Sequence, residues 1–418
     1  MLTKAPKGTK DVIPDESYKW QYIENMIRKI CDSYGYKEIR TPVFEHTELF
    51  ERGMGDTTDV VQKEMYTFED KGGRSITLRP EGTASAVRSY LENSLYAAPQ
   101  PTKMYYIISC YRYEKPQAGR LREFHQFGVE AFGSEKPSID AEIISMAMTL
   151  LNKLGVKGLE LNINSIGCPK CRKEYNSKLK EYLKQYLDEL CETCNSRYER
   201  NPLRILDCRN SRCKEIGKNT PVLLESLCDD CKAHFDSLKN YLDSMNIKYN
   251  VDPYIVRGLD YYTRTVFEFV SKDIGAQGTV CGGGRYDGLI EELGGSPTPG
   301  IGFGMGIERL MLTLEGQGIE IPRPDPVKLF IANIGEKAEI KAQSLVYELR
   351  QQDISAEKDH MGKSLKAQMK YADKLGAQYT MVLGEDEINN NKAVLKNMKT
   401  GETIEVDLEY LGNILKKI

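Results

Sequence analysis

The chain has 418 residues, 28% charged and 40% hydrophobic, with a formal net charge of -3. That length exceeds one ordinary core and predicts two or three domains, while the near-balanced charge excludes nucleic-acid binding through net charge and leaves only local patches for it. The start, MLTKAPKGTKDVIP, lacks the apolar stretch of a signal peptide, and no run of about 18 apolar residues could span a bilayer, so a soluble, cytoplasmic protein with no membrane partner is expected.

In chain order, SYKWQYIENMIRKICDSYGY (17–36) spaces its apolar residues as a helix, with a glycine near its end. SITLRP (75–80), KMYYIISCYRYE (103–114) and FHQFGVEAFG (124–133) read as strands. Residues 138–154 form the next helix, with Ser138 as its N-cap and Asp140 and Glu142 in its first turn. GLELNINSIG (158–167) returns to a strand, and a cysteine-rich, Lys/Glu-rich stretch from about 168 to 245 then interrupts the alternation, as an inserted helical subdomain would. The strand pattern resumes at YNVDPYIVRGLDYYTRTVFEFV (249–270), and PGIGFGMGIERLMLTL (299–314) reads as a strand of small residues that turns into a helix near Ile307. IPRPDP (321–326) places three prolines in six residues, a linker signal. Beyond it strands and helices alternate, which predicts a small α/β domain with a largely parallel or mixed sheet.

Two phosphate-loop look-alikes fail. CGGGRYDGL (281–289) holds four glycines, but neither Lys-Ser/Thr nor a Gly-x-Gly-x-x-Gly turn follows; its glycines suit close backbone approach to a small buried substrate. HMGKS (360–364) would need glycine at 357, which is Glu357. Lys363, Lys366, Lys370 and Lys374 share one helical face, either a solvated surface or a stripe for RNA phosphates, within a segment, 326–418, that balances fourteen basic against fourteen acidic residues.

Eight of the eleven cysteines fall between 168 and 231, as Cys168/Cys171, Cys191/Cys194, Cys208/Cys213 and Cys228/Cys231. Three pairs are CxxC and one is CxxxxC, spacings that let thiolates converge on a tetrahedral metal ion. Structural zinc, reduced thiols and, less in keeping with a reducing cytosol, disulfides remain open. No acidic or histidine group is arranged there for catalytic zinc chemistry.

YYIISCYRYEKPQAGRLREFHQFGVEAFG (105–133) is the most informative segment: two strands flank a loop with Lys115, Arg120 and Arg122, with Arg112 inside the first strand. On the second strand Gln126, Gly128 and Glu130 share a face, a polar floor rather than a bland sheet. This hairpin resembles motif 2 of class II aminoacyl-tRNA synthetases, TPVFEHTELFERG (41–53) resembles the dimer-forming motif 1, and PGIGFGMGIERL (299–310) resembles motif 3 with Arg309. VRGLDYYTRTVFEF (256–269) and CGGGRYDGL resemble the two signatures of histidyl-tRNA synthetases, and with LRPEGTA (78–84) the resemblance spans nearly the whole chain, least in the cysteine-rich part.

The resemblance implies an α+β catalytic domain built on an antiparallel sheet flanked by helices (1–325), interrupted by the cysteine-rich helical insertion (168–245) and followed by an α/β anticodon-binding domain (326–418). It implies a homodimer that activates histidine with ATP and magnesium, then transfers it to the terminal 3′-hydroxyl of tRNA(His). By resemblance Arg112 grips the α-phosphate and substrate carboxylate, Arg257 adds charge at the α-phosphate, and Arg309 holds the far end of a bent triphosphate. Glu81, Thr83 and Gln126 take the α-ammonium; Glu130, Tyr262 and Tyr286 take the imidazole; and Arg257 belongs to the histidine-binding set as well as to the ATP-binding one. Lys115, Arg120 and Arg122 approach the tRNA acceptor end. Two other readings stand beside it: a non-catalytic regulatory subunit of ATP phosphoribosyltransferase, expected to lack the anticodon-binding domain and blur the histidine pocket, and an RNA-binding zinc protein without catalysis.

Overall fold

A computed structural model describes residues 3–55, 58–208, 210–271 and 278–418. The chain divides into two compact units, Met1–Ile321 and Pro322–Ile418, the split falling at the first proline of the 321–326 segment.

The first unit opens with α1 (Pro14–Tyr34): Pro14 suits the first turn, Asp15 and Glu16 sit at its positive end, and Gly35 closes it in the left-handed region at φ 76°. Ile23, Ile27, Ile30 and Cys31 form its buried face, and each such aliphatic side chain contributes roughly 1.5–3 kcal/mol of burial free energy. Strands β1 (Lys37–Glu38) and β2 (Phe44–His46) lead into α2 (Thr47–Met54); β3 (Tyr66–Glu69) and β4 (Ser75–Leu78) then join β2 in a small antiparallel sheet of order β2-β4-β3. After α3 (Thr83–Glu92) comes the hairpin of β5 (Thr102–Tyr111) and β6 (Glu123–Phe132). Arg112 was expected inside the first strand; it lies one residue past its end, where its N–H still bonds the Arg122 carbonyl at 2.8 Å.

Helix α4 (Pro137–Lys153) starts one residue before the expected Ser138 cap. Pro137, with no N–H to leave unpaired and φ already helical, takes the first position, so Lys136 is the N-cap and Ser138 lies within the turn. β7 (Glu160–Ser165) precedes the insertion, which folds as α5 (Pro169–Lys184), α6 (Glu192–Arg200), α7 (Ser211–Gly217) and α8 (Asp229–Ser244), with a 3-10 segment at Pro202–Asp207. The unit finishes with β8 (Asn250–Val251), β9 (Thr263–Val270), β10 (Thr279–Arg285), α9 (Leu289–Glu292), β11 (Gly300–Gly306) and α10 (Ile307–Gly316).

Eight strands form one sheet in the order β1-β5-β6-β11-β10-β9-β7-β8, antiparallel except at its edges, where β1 with β5 and β7 with β8 run parallel. The period of two along each strand sorts its faces. Phe127 and Val129 of β6, Phe267 and Phe269 of β9, and Ile301 and Met305 of β11 pack with α1, α4, α8 and α10 in the main core. The other face presents Gln126, Gly128, Glu130 and Glu268 and is left for the site.

The second unit runs β12 (Leu329–Asn333), α11 (Glu336–Arg350), β13 (Ala356–Lys358), α12 (Leu365–Lys374), β14 (Tyr379–Leu383), α13 (Glu385–Asn390), β15 (Lys392–Asn397), β16 (Thr403–Asp407) and α14 (Leu411–Leu415). Its sheet, β13-β12-β14-β15-β16, is mixed: the first three strands are parallel and the last two pairings antiparallel. Among the described residues no helix is long and apolar enough to cross a membrane.

Candidate functional site

The polar face of the large sheet opens into a cavity of about 620 Å³, with a narrower arm of about 190 Å³ that shares Arg112, Gln126, Arg257 and Arg309 with it. Its floor is glycine because the side chains above need the space. A Cβ on Gly282 would collide with the Arg257 guanidinium, one on Gly304 with the Gln126 amide, and one on Gly302 with the Glu130 carboxylate. The glycines of CGGGRYDGL and GIGFGMG thus seat the site side chains.

At one end four guanidiniums converge. Arg112 donates through Nε to the Pro80 carbonyl at 2.8 Å and lies 5.4 Å from the Phe124 ring centroid. Arg309 donates to the carbonyls of Gly119 at 3.2 Å and Thr279 at 3.0 Å. Arg120 pairs with Glu114 at 3.0 Å, and Arg257 pairs with Glu268 and lies 5.9 Å from the Tyr262 ring. Burial, and after it the charge of Arg120 with contributions from Arg112 and Arg257, pushes Arg309 down to about 10. Cations gathered in a half-buried cleft form a ready site for a polyanion. For Arg257, burial works against the charge but Glu268 outweighs it, and its pKa is raised.

The other end is closed by carboxylates and tyrosines. Glu81, 2% exposed, accepts from the backbone N–H groups of Thr83 and Ala84, both at 2.7 Å, at the start of α3, and burial raises its pKa. Glu130 lies beneath the wall rather than in it: Oε1 accepts from Thr83 at 2.8 Å and Tyr106 at 2.9 Å, and Oε2 from the Tyr286 hydroxyl. Burial pushes Glu130 up to about 8, against the pull of those hydroxyls. Tyr261 packs against Tyr262 in a tilted contact at 4.6 Å and meets Tyr286 edge to face at 5.5 Å between ring centroids.

Arg112, Arg257, Arg309, Glu81, Thr83, Gln126, Tyr262 and Tyr286 therefore share one cavity, with Glu130 one layer below. The hairpin loop divides differently from expectation. Arg120 is in the cavity wall, Lys115 is exposed, and Arg122 stacks on Tyr113 at 3.8 Å, outside the wall. Sequence reasoning missed Phe124 and Glu268, although strand alternation reaches both: Phe124 is two residues before Gln126, and Glu268 alternates with the core residues Phe267 and Phe269. It also missed Arg197 and Arg204, which the insertion contributes to the wall; no local pattern marks those two.

The eight cysteines gather in two sets, Cys168/Cys171/Cys228/Cys231 and Cys191/Cys194/Cys208/Cys213. All are free thiols, and the 3.6 Å between the Cys168 and Cys171 sulfurs is far from a bonded 2.05 Å, which removes the disulfide reading. In the second unit Lys363, Lys366, Lys370 and Lys374 are all exposed, but α12 begins at Leu365 after the Ser364 N-cap, so Lys363, 5.0 Å from the Tyr371 ring, lies before the helix and only the other three are on it.

Residues 8–310 match the family model described as histidyl-tRNA synthetase, and residues 328–418 that described as anticodon binding domain. A protein of Acetivibrio thermocellus named histidine–tRNA ligase is 65% identical over 416 residues, covering 100% of both chains. Among solved structures, apo histidyl-tRNA synthetase of S. aureus is 44% identical with a TM-score of 0.86 over 99% of each chain. A Bacillus halodurans C structure described as an ATP phosphoribosyltransferase regulatory subunit/histidyl-tRNA synthetase shares the fold at 21% identity and a TM-score of 0.64, over 91% of this chain and 98% of that one.

Proposed function

The chain belongs to the histidyl-tRNA synthetase family and ligates histidine to tRNA in an ATP-dependent reaction, and from that premise we propose the part that each side chain plays. The carrying observation is the convergence of Arg112, Arg120, Arg257 and Arg309 on a cavity closed at its far end by Glu81, Thr83 and the tyrosines. The histidine carboxylate attacks the α-phosphorus of ATP and pyrophosphate leaves. Bringing two anions into line dominates that barrier, so positioning and cationic stabilisation are the main tasks. Arg112 holds the α-phosphate and the carboxylate, Arg257 adds a second fork at the α-phosphate, and Arg309 holds the end of the bent triphosphate. In the narrow arm Phe124 and the Arg309 guanidinium flank the adenine. Glu114 and Glu268, the hard oxygen donors on the wall beside the arginines, would hold the magnesium that comes with ATP, which would supply charge shielding for the outer phosphates.

Glu81, Thr83 and Gln126 accept from the α-ammonium. The Tyr286 hydroxyl, its proton directed to Glu130, turns a lone pair toward one imidazole N–H, and Tyr262 meets the other ring nitrogen. Such pairing rejects apolar competitors that a greasy slot would admit. Histidine-dependent exchange of pyrophosphate into ATP tests the reading; no exchange with histidine, or equal exchange with phenylalanine, would end it. In transfer, the tRNA 3′-hydroxyl attacks the adenylate, with Lys115, Arg120 and Arg122 near the acceptor end and the second unit, with its lysine stripe, on the anticodon side.

The relay needs ionised Glu130. With its pKa at about 8, the KM for histidine should fall by up to about tenfold between pH 7 and 8.5 as the ionised fraction grows, and Glu130→Gln should bind histidine more weakly without that slope. An unchanged slope in the variant would remove Glu130 from recognition. The same shift has a stability sign: a folded value of about 8 against an ordinary 4.5 means the folded protein binds the extra proton. This contribution is complete below pH 4.5 and is lost as pH rises through 8.

We propose a homodimer as well. Phe44 and Phe68, 56% and 47% exposed, face the same side of the β2-β4-β3 sheet, opposite Leu78 and Ile76 in its pairing register, and would be covered by a second copy. Sedimentation should give twice the chain mass, and Phe44→Glu should shift it toward one. A reducing cytoplasm, where the free thiols persist, is the proposed location, and the insertion's cysteines hold structural zinc. The regulatory alternative is not favoured, since residues 328–418 retain the anticodon-binding domain that it was expected to lack.

A further inference from the structure

Building on the reading of the insertion cysteines as zinc ligands, we infer that the chain holds two zinc ions with different tasks: one closes the neck of the insertion, and the other braces the loop that carries Arg257.

Within each set of four cysteines all sulfurs lie within 4.8 Å of one another, with closest approaches of 3.6 and 3.9 Å in the first and 3.8 Å in the second. A tetrahedral zinc with sulfur ligands at about 2.3 Å spaces those sulfurs about 3.8 Å apart, whereas an iron–sulfur cluster would hold its cysteines farther apart. Four thiolates with no imidazole or carboxylate make a closed, structural site. The pairs are nested in the chain, the outer two forming the first site and the inner two the second.

Local structure is already arranged for ligation. Cys168, Cys191 and Cys228 are the N-cap residues of α5, α6 and α8, which puts each CxxC partner one turn inside its helix. Backbone N–H groups are aimed at the sulfurs from outside: Cys228 N to Cys171 at 3.1 Å, Cys191 N to Cys213 at 3.3 Å, and Asn210 N to Cys208 at 3.4 Å. Such outer bonds fix ligands in place around a metal.

The first site joins the two chain crossings of the insertion. Cys168 and Cys171 open α5 just after β7, and Cys228 and Cys231 open α8, which returns to the main core through Phe235, Leu238 and Leu242. The second borders the cavity, where Cys191 and Cys208 are wall residues. Between its ligands Cys194 and Cys208 lie Arg197 and Arg204, both buried. Arg204 donates to the Arg257 carbonyl at 2.8 Å and pairs with Asp207 at 3.0 Å and Asp260 at 3.6 Å; Arg197 pairs with Asp59 at 3.2 Å and donates to the Arg204 carbonyl at 3.4 Å. Residues 253–262 have neither helix nor strand, so these bonds hold the Arg257 backbone from the insertion side. Fixing Cys194 and Cys208 to one ion fixes both arginines between them.

Protein purified without chelator should carry about two zinc ions per chain by mass spectrometry of the metal. No zinc, or iron in its place, overturns the reading of the cysteines as zinc ligands; one ion leaves that reading standing and overturns the two-ion inference. Cys208→Ser/Cys213→Ser should keep one ion and speed hydrogen exchange over 256–260, the part that Arg204 reaches, about tenfold, the loss of roughly one hydrogen bond's worth of protection. Cys171→Ser/Cys231→Ser should also keep one ion and, since Arg172 beside Cys171 donates only to the Tyr262 carbonyl at the end of the segment, at 3.1 Å, leave 256–260 unchanged; equal exchange at 256–260 in the two variants overturns the brace. Should the inner variant not fold, two thiolate-ligated ¹¹³Cd resonances from the cadmium-substituted wild type test the count. Arg204→Ala tests the brace, with both ions retained and exchange at 256–260 accelerated; unchanged exchange there overturns it.

Discussion

Arg257→Lys should lower the kcat of histidine-dependent pyrophosphate exchange by roughly 10²- to 10³-fold, the usual effect of removing one preorganised donor from a developing charge, with a much smaller change in the KM for histidine. The substitution keeps a positive charge, so long-range attraction of ATP survives. It loses the planar fork, which can hold two oxygens of the α-phosphorus at the in-line geometry. The site is built for that fork: Gly282 leaves room beneath it, Glu268 orients it, and Arg204 holds the backbone behind it. A structural ion pair with Glu268 would tolerate lysine. Stopped-flow or quench measurement of adenylate formation separates the two cases, and a lysine variant within threefold of the wild-type rate would reduce Arg257 to a structural partner.

Asp140→Ala should destabilise the protein by up to about 3–5 kcal/mol, because it takes from a buried arginine its fully buried counterion and leaves only the partly exposed Asp287, at 2.9 Å, to face it. Asp140 and Arg285 are both 0% exposed. The carboxylate accepts from Arg285 Nε at 2.9 Å and from Thr265 at 2.7 Å and pairs with His234 Nε2 at 2.8 Å, while Arg285 also donates to the carbonyls of Ser134 and Lys136. Burial alone would push the carboxyl up, but Arg285 and then His234 hold it below its ordinary range. The stability it contributes is therefore present above the ordinary carboxylate pKa and lost as pH falls through the lowered value. Urea unfolding at neutral pH measures the loss, and Asp140→Asn, which keeps the shape, should recover only part of it. A midpoint unchanged in the alanine variant would mean that Asp287 alone suffices to compensate Arg285.

Asp140 also shows where sequence reading stops. In the sequence it is one acid in the first turn of a helix, a position the helix dipole explains. Its real partners lie 94, 125 and 145 residues away, and nothing local announces them. The sheet was more legible, since the period of two in FHQFGVEAFG already places Gln126 and Glu130 opposite the apolar face. The hairpin, the strand-to-helix turn at Ile307 and the proline-marked division are local events written in local residues. Arg204, in contrast, reaches the site through a 3-10 segment whose path depends on packing of the whole insertion. The position of Glu130 under Tyr286 depends on the register between β6 and β11, and on Gly302 opposite it, rather than on either strand alone.

A floor of bare backbone limits how the choice of amino acid could be re-engineered. Pocket redesign usually trades one wall side chain for another, but at Gly282, Gly302 and Gly304 there is no side chain to shorten, and any added carbon displaces a group that the site needs. The floor can only rise. Accommodating a larger ring than imidazole would have to come from Tyr261, Tyr262 or Tyr286, whose shortening opens the far end of the cavity. A library confined to the three tyrosines would sample new substrates, while one that includes the glycines would mostly yield inactive protein.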